Sequence, residues 1–120
     1  MFRFEKLDVW QKAIDLAHGV YGITARFPRE ERFGLASQMQ RAAVSISSNV
    51  AEGTGRSSGK DFAHFIEIAY GSLMEVVSQM QVAHRQAWLT QGERDDMYAQ
   101  AEELARMLSG LKASLVRQSA

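Results

Sequence analysis

One periodicity governs nearly the whole chain. Apolar residues recur every three or four positions through four long stretches, and a single proline, Pro28, interrupts them. This spacing lines up side chains on one face of an α-helix, not on one face of a strand. The first stretch runs from about Leu7 to Ala25, and Leu7, Trp10, Ile14, Ala17, Tyr21 and Thr24 form its stripe. In that phase Val9, Val20 and Ile23 point outward. Phe27-Pro28 ends the helix, because the residue before a proline avoids helical angles.

The second helix is expected to begin near Glu30 to Phe33 and to end about Glu52, with Leu35, Met39, Ala42, Ile46 and Val50 inward. A glycine and serine cluster, Gly53 to Gly59, follows as a loop, with Gly53 or Gly55 as a left-handed helix cap. Ser58-Gly59-Lys60-Asp61 reads as a capping-box variant that opens the third helix. The stripe of that helix is Phe62, Phe65, Ala69, Leu73, Val76, Met80, Ala83 and Ala87. Thr90-Gln91-Gly92-Glu93 is a second capping box, and Met97, Ala101, Leu104, Leu108, Leu111 and Leu115 follow it. Short connections make consecutive helices antiparallel. The expected fold is therefore all-α, one antiparallel up-down-up-down four-helix bundle over residues 1–120.

Composition narrows the function classes. The chain has no cysteine, so disulfides, thiolate catalysis and thiolate metal sites are excluded. No run of 18 apolar residues crosses a bilayer, and MFRFEKLDVW has no signal-peptide core, so a cytoplasmic protein is expected. The formal net charge is +0, so a polyanion would be held only by a local patch. Ten arginines stand against four lysines, and arginine is the better bidentate partner of phosphates and carboxylates. The candidate patch is Arg26, Arg29, Arg32, Arg41, Arg56 and Lys60.

Catalytic and metal chemistry find no footing. Asp15-x-x-His18 and Asp61-x-x-His64 approach the Glu-x-x-His pattern of metal-binding bundles, but their helical phase turns them outward or to the flank. Ser45, Ser47 and Ser48 lack a nucleophile elbow and read as small packing residues, as do Gly71 and Ser72. The loop from Gly53 to Lys60 has the glycines, hydroxyls and cations of an anion contact, yet Lys60 precedes Asp61 where a phosphate-binding loop has serine or threonine. No cofactor or small-molecule substrate is implied. Asn49, Glu52 and Arg56 are expected to form a structural cluster at the end of the second helix. Ile68, Tyr70, Met74, Val77 and Val82 give the third helix apolar residues outside its core stripe, which a single bundle would leave uncovered and self-association would bury.

Several of these residues carry a family resemblance. Phe4, Leu7-x-Val9-Trp10, Phe27-Pro28, Glu31-x-Phe33-Gly34-Leu35, Arg41-Ala42-Ala43-x-Ser45-Ile46, Asn49-Val50-Ala51-Glu52-Gly53 and Gly71-Ser72-x-x-Glu75 resemble the bacterial 23S ribosomal RNA intervening-sequence proteins, the S23 or four helix bundle protein family. Ser47 stands where that family often has proline. The resemblance implies a four-helix bundle assembled as a homopentamer, without enzymatic activity, with Arg41, Asn49, Glu52 and Gly53 in the shared motif. A related group, the accessory variability determinants of diversity-generating retroelements, forms basic pentameric barrels that bind reverse transcriptase and RNA. The combined reading is a non-enzymatic homo-oligomeric bundle acting as an RNA or protein adaptor. The alternative is a nucleic-acid-binding protein that uses the arginine patch.

Overall fold

The computed structural model describes residues 1–119, and among them there is no strand. Four helices account for most of the chain: α1 (Asp8–Thr24), α2 (Leu35–Thr54), α3 (Gly59–Arg85) and α4 (Gln91–Ser119). Consecutive helices run antiparallel, and the molecule is a rod of 47 × 22 × 22 Å. Each helix packs on its chain neighbours, α2 on α3 most extensively, and α4 returns to close on α1 by the thinnest seam. Residue 120 lies outside the described residues.

The helix ends follow from local chemistry. Before α1, a 3₁₀ turn (Arg3–Lys6) is tied by Phe2 N–H donating to the Glu5 carboxylate at 2.9 Å, and Phe4 meets Trp10 edge to face at 5.1 Å. Thr24 closes α1 by donating its hydroxyl to the Val20 carbonyl at 2.8 Å. A second 3₁₀ turn (Arg29–Glu31) then occupies the segment expected to begin the second helix. α2 starts later, at Leu35, because the Glu31 carboxylate accepts from Leu35 N–H at 3.2 Å and takes the place of an N-cap side chain. At α3 only half of the expected box forms: Ser58 Oγ accepts from Asp61 N–H at 3.1 Å. At α4 both halves form, with Glu93 N–H donating to Thr90 Oγ1 at 3.1 Å and Thr90 N–H to the Glu93 carboxylate at 3.0 Å. The Thr90 N–H and the Arg26 guanidinium hold the Glu93 carboxyl below its usual range.

α3 ends in a Schellman arrangement. Trp88 N–H reaches back to the Ala83 carbonyl at 3.0 Å, and Ala87 sits at φ 63°. Ala87, read from the pattern as the last core position, is therefore the exposed turn residue. Trp88 instead folds onto Phe27 with ring centroids 5.5 Å apart.

The core confirms most inward positions and corrects one helix. Met39, Ala42, Ile46 and Val50 of α2 are buried, as are Ala69, Leu73, Val76 and Met80 of α3 and Met97, Ala101, Leu104 and Leu108 of α4. In α1 the buried face is Val9, Ala13, Leu16, Ala17, Val20 and Thr24. This is turned about 80° from the expected stripe at 100° per residue. Ile14 and Tyr21 are exposed, and Val9 and Val20, expected outside, are inside. α1 is apolar around more than half of its circumference, so two stripes were available. The one with alanines at closely packed positions faces the bundle.

Candidate functional site

The residues singled out by the sequence fall into three places. The first is the seam between α2 and α3. Asn49 donates to the Ser45 carbonyl at 2.8 Å and to Ser45 Oγ at 3.0 Å, and the Ser45 and Ser72 hydroxyls share a hydrogen bond of 2.9 Å across the seam. Next to them, Gln38, Arg41, Ala42, Ser45, Ser72 and Glu75 line a shallow groove of about 290 Å³. Glu75 accepts from Gln79 at 3.3 Å. Arg41 is exposed and makes no ion pair among the described residues. Glu52 and Arg56 pair one turn apart at 3.4 Å, and the Arg56 guanidinium lies 4.4 Å over the Phe65 ring. The expected cluster of Asn49, Glu52 and Arg56 thus divides: Asn49 binds to Ser45, while Glu52 and Arg56 bind to each other.

Gly53 has a different role from the one the sequence suggested. Helix α2 continues through it to Thr54, and no glycine among the described residues has a positive φ. A Cβ at Gly53 would sit 2.7 Å from Phe62 Cδ1 and 3.1 Å from Phe65 Cβ. The glycine is there because α3 approaches too closely for any side chain. Neither Gly53 nor Gly55 is a left-handed cap, and the loop from Gly53 to Lys60 does not form an anion cradle: its first two residues are helical and Arg56 is already engaged. Gly71 departs from expectation in the other direction. It is exposed, a Cβ there meets nothing within 4 Å, and nothing within the chain explains it.

The second place is the end of the rod where α1 turns into α2. Thr24, Phe27, Arg29, Arg32, Phe33 and Gln40 are among the residues lining a groove of about 580 Å³. Phe33 is 86% exposed, and Arg32 stacks on its ring at 5.4 Å. Arg26 is at the same end but pairs with Glu93. Arg56 and Lys60 are at the opposite end of the rod, and Arg41 lies about 20 Å along α2 from the end of that helix at Thr54, at 1.5 Å per residue. The six candidate cations therefore form no single patch. The pairs Asp15/His18 and Asp61/His64 are likewise apart and exposed on different helices. No His, Asp or Glu cluster among the described residues has the makings of a metal site.

The third place is the surface of α3. Ile68, Tyr70, Met74 and Val82 are exposed, whereas Val77 is half-buried against the core. They do not share one face. Tyr70 lines a groove with Glu67, Ser109 and Lys112 on the α4 side. Ile68 is about 160° away from Tyr70, on the α2 side, at 100° per residue. The sequence missed the companions of this surface, Ile14, Tyr21 and Val44, exposed by 39%, 48% and 40%. The first two had been assigned to the core by the competing stripe of α1. No helix among the described residues is long and apolar enough to cross a membrane.

Comparison with known proteins agrees with this architecture. A solved structure, described as a protein with unknown function from the S23 ribosomal protein family of Bacteroides thetaiotaomicron, superposes with a TM-score of 0.81. The two share 20% sequence identity over 88% of this chain and 95% of that one, a level that establishes the fold alone. No curated protein matches the chain. The family model of the 23S rRNA-intervening sequence proteins matches residues 5–110, so the chain belongs to the 23S rRNA-intervening sequence protein family.

Proposed function

We propose that the protein is a non-enzymatic bundle that acts as a homo-oligomer, serving as an adaptor for an RNA or protein partner in the cytoplasm. One observation carries this reading. Ser45, Asn49, Glu52, Arg56 and Ser72 are occupied in bonds to one another, one of them across α2 and α3 and the others local to α2 and its end, while large apolar side chains, Tyr21, Val44, Tyr70 and Met74 among them, stand at the surface. A monomer has no use for such a surface, and association of copies buries it. The count of five comes from the family resemblance. Light scattering on a sizing column tests the proposal: a mass several times the 13.4 kDa of one chain is expected, and a clean monomer at micromolar concentration overturns it.

Nucleic-acid binding is the second reading, favoured by the exposed Phe33 beside Arg29 and Arg32. An aromatic ring flanked by guanidiniums offers a base a stacking surface and its phosphates a counter-charge. Because the cations divide between the ends of the rod, each copy would place about two or three on one strand. The slope of log affinity against log salt per copy is then about −2. A filter-binding titration of wild type and Arg32→Ala measures it. Binding that persists at physiological salt and discriminates between RNA sequences would make this the primary function.

A further inference from the structure

The groove where α1 turns into α2 has an apolar base and a cationic edge. Phe27 and Ala36, both buried, form the base, and Arg29, Arg32 and Phe33 stand exposed around it. Among the described residues no carboxylate lines this groove: Glu31 is committed to the Leu35 N–H, and Glu93 to Arg26. Arg29 and Arg32 have no ion pair among the described residues, so both guanidiniums are open to an anion. Arg32 lies over the Phe33 ring, and a guanidinium stacked in this way keeps its N–H edge for a phosphate. One polar group in the groove has its orientation dictated by the bundle. The Thr24 hydroxyl donates to the Val20 carbonyl at 2.8 Å, so toward Gln40 its oxygen can only accept. Gln40 therefore turns its amide nitrogen to Thr24, at 2.9 Å, and its carbonyl oxygen accepts no hydrogen bond among the described residues. Ser37, also in the lining, adds a hydroxyl.

An open aromatic ring, two free cations and one fixed acceptor thus surround a single space. We infer that this groove binds one nucleoside monophosphate. Its base stacks on Phe33 and donates an N–H to the Gln40 carbonyl, and its phosphate lies between Arg29 and Arg32. This rests on the nucleic-acid reading given above and names its unit as a single nucleotide. The volume suits a ligand of that kind, since the groove of about 580 Å³ falls within the roughly 300–1,000 Å³ of small-molecule sites. A longer strand would have to continue along α1 and α2, and there the cations stop. At helical spacing Gln40 shares its flank of α2 with Val44, Ser47 and Ala51, and Thr24 shares its flank of α1 with Tyr21, Ala17 and Ile14. None of these is charged, so a second phosphate finds no counter-charge on that side.

The test is calorimetric titration of the full chain with adenosine monophosphate, beside adenosine, ribose phosphate and a short single-stranded oligoadenylate. Adenosine monophosphate is expected to bind at one place per chain. Adenosine and ribose phosphate should each bind about tenfold more weakly, because each lacks either the phosphate or the stacking base. Phe33→Ala is expected to weaken the monophosphate about tenfold and to leave ribose phosphate unchanged. Arg29→Ala is expected to weaken both phosphates and to spare adenosine. Both side chains are exposed, so thermal melts of the two variants should match wild type. Adenosine monophosphate that binds no tighter than ribose phosphate, or that binds Phe33→Ala as well as wild type, overturns the site. An oligoadenylate that binds while the monophosphate does not overturns it too, and leaves the nucleic-acid reading standing. Failure of both ligands to bind removes the two together. Binding of the monophosphate with no gain for the oligoadenylate bears out the limit to one nucleotide.

Discussion

Replacing Gly53 by alanine is expected to lower stability by about 1–2 kcal/mol, although the change improves helix propensity. Two effects oppose each other. Alanine favours a helix interior over glycine by about 1 kcal/mol. Against this, the new Cβ falls 2.7 Å from Phe62 Cδ1, inside any van der Waals contact. Phe62 is 4% exposed and is part of the packed core, so its ring moves only at the expense of neighbouring contacts. Phe65 stands at 3.1 Å on the other side, under the Arg56 guanidinium. Overpacking of this kind costs roughly 1–3 kcal/mol, which outweighs the propensity gain. For a domain near this size each kcal/mol shifts the melting temperature by about 4 °C. Gly71→Ala is the matched control, since its Cβ meets nothing within 4 Å and propensity alone acts. Thermal melts at equal concentration should show Gly53→Ala below wild type and Gly71→Ala at or above it. A Gly53→Ala variant that melts higher than wild type would mean that α2 and α3 separate without penalty.

Leu73→Ala should be more damaging, with an expected loss of about 2–5 kcal/mol. Leu73 is fully buried at the middle of α3, among the largest buried side chains of the core. Truncating it removes apolar transfer energy and leaves a cavity, because the core around it is built from other large, fully buried side chains, Ile46, Ile66, Met80 and Leu104 among them, which relax only partly. Domains of this kind are stable by only about 5–15 kcal/mol, so the variant sits near the limit of folding. Urea denaturation followed by helical circular dichroism measures the change. The comparison must be made at fixed protein concentration, because assembly adds a concentration-dependent contribution. A loss below about 1 kcal/mol would indicate that the core closes around the missing side chain.

The fold was readable wherever one physical signal had no competitor. Thr90 and Glu93 could only be a capping box, and both of its bonds form. The stripes of α2 and α4 were readable because most residues on their other sides are polar, Val44 and Val116 being the exposed apolar exceptions. In α1 the signal was double. Trp10, Ile14 and Tyr21 lie on one face, Val9, Leu16 and Val20 on another, and the choice between them depends on helices distant in sequence. Gly53 was misread for a related reason: a glycine near a helix end is usually a cap, and its contact with Phe62 exists only once α3 is in place. The candidate cations were legible as residue types but not as a site. Whether Arg29 and Arg56 are neighbours is decided by which end of a 47 Å rod each occupies. The exposed apolar surface of α3 could be read as excess hydrophobicity, whereas its division between two sides, and its match on α1 and α2, required the packing of all four helices.

The thin seam between α1 and α4 has an entropic consequence. Three of the four seams join helices adjacent in the chain, and the tightest, α2 on α3, closes a connection of only residues 55–58. The fourth brings together the first and last helices and encloses residues 25–90. Loop-closure entropy of a flexible chain rises by about 0.6 kcal/mol for each doubling of length, so in the unfolded chain an encounter of α1 with α4 costs about 2–3 kcal/mol more than one of α2 with α3. The weakest contact of the four thus carries the largest ordering penalty, and the edge between the two terminal helices is where the bundle is thermodynamically easiest to open.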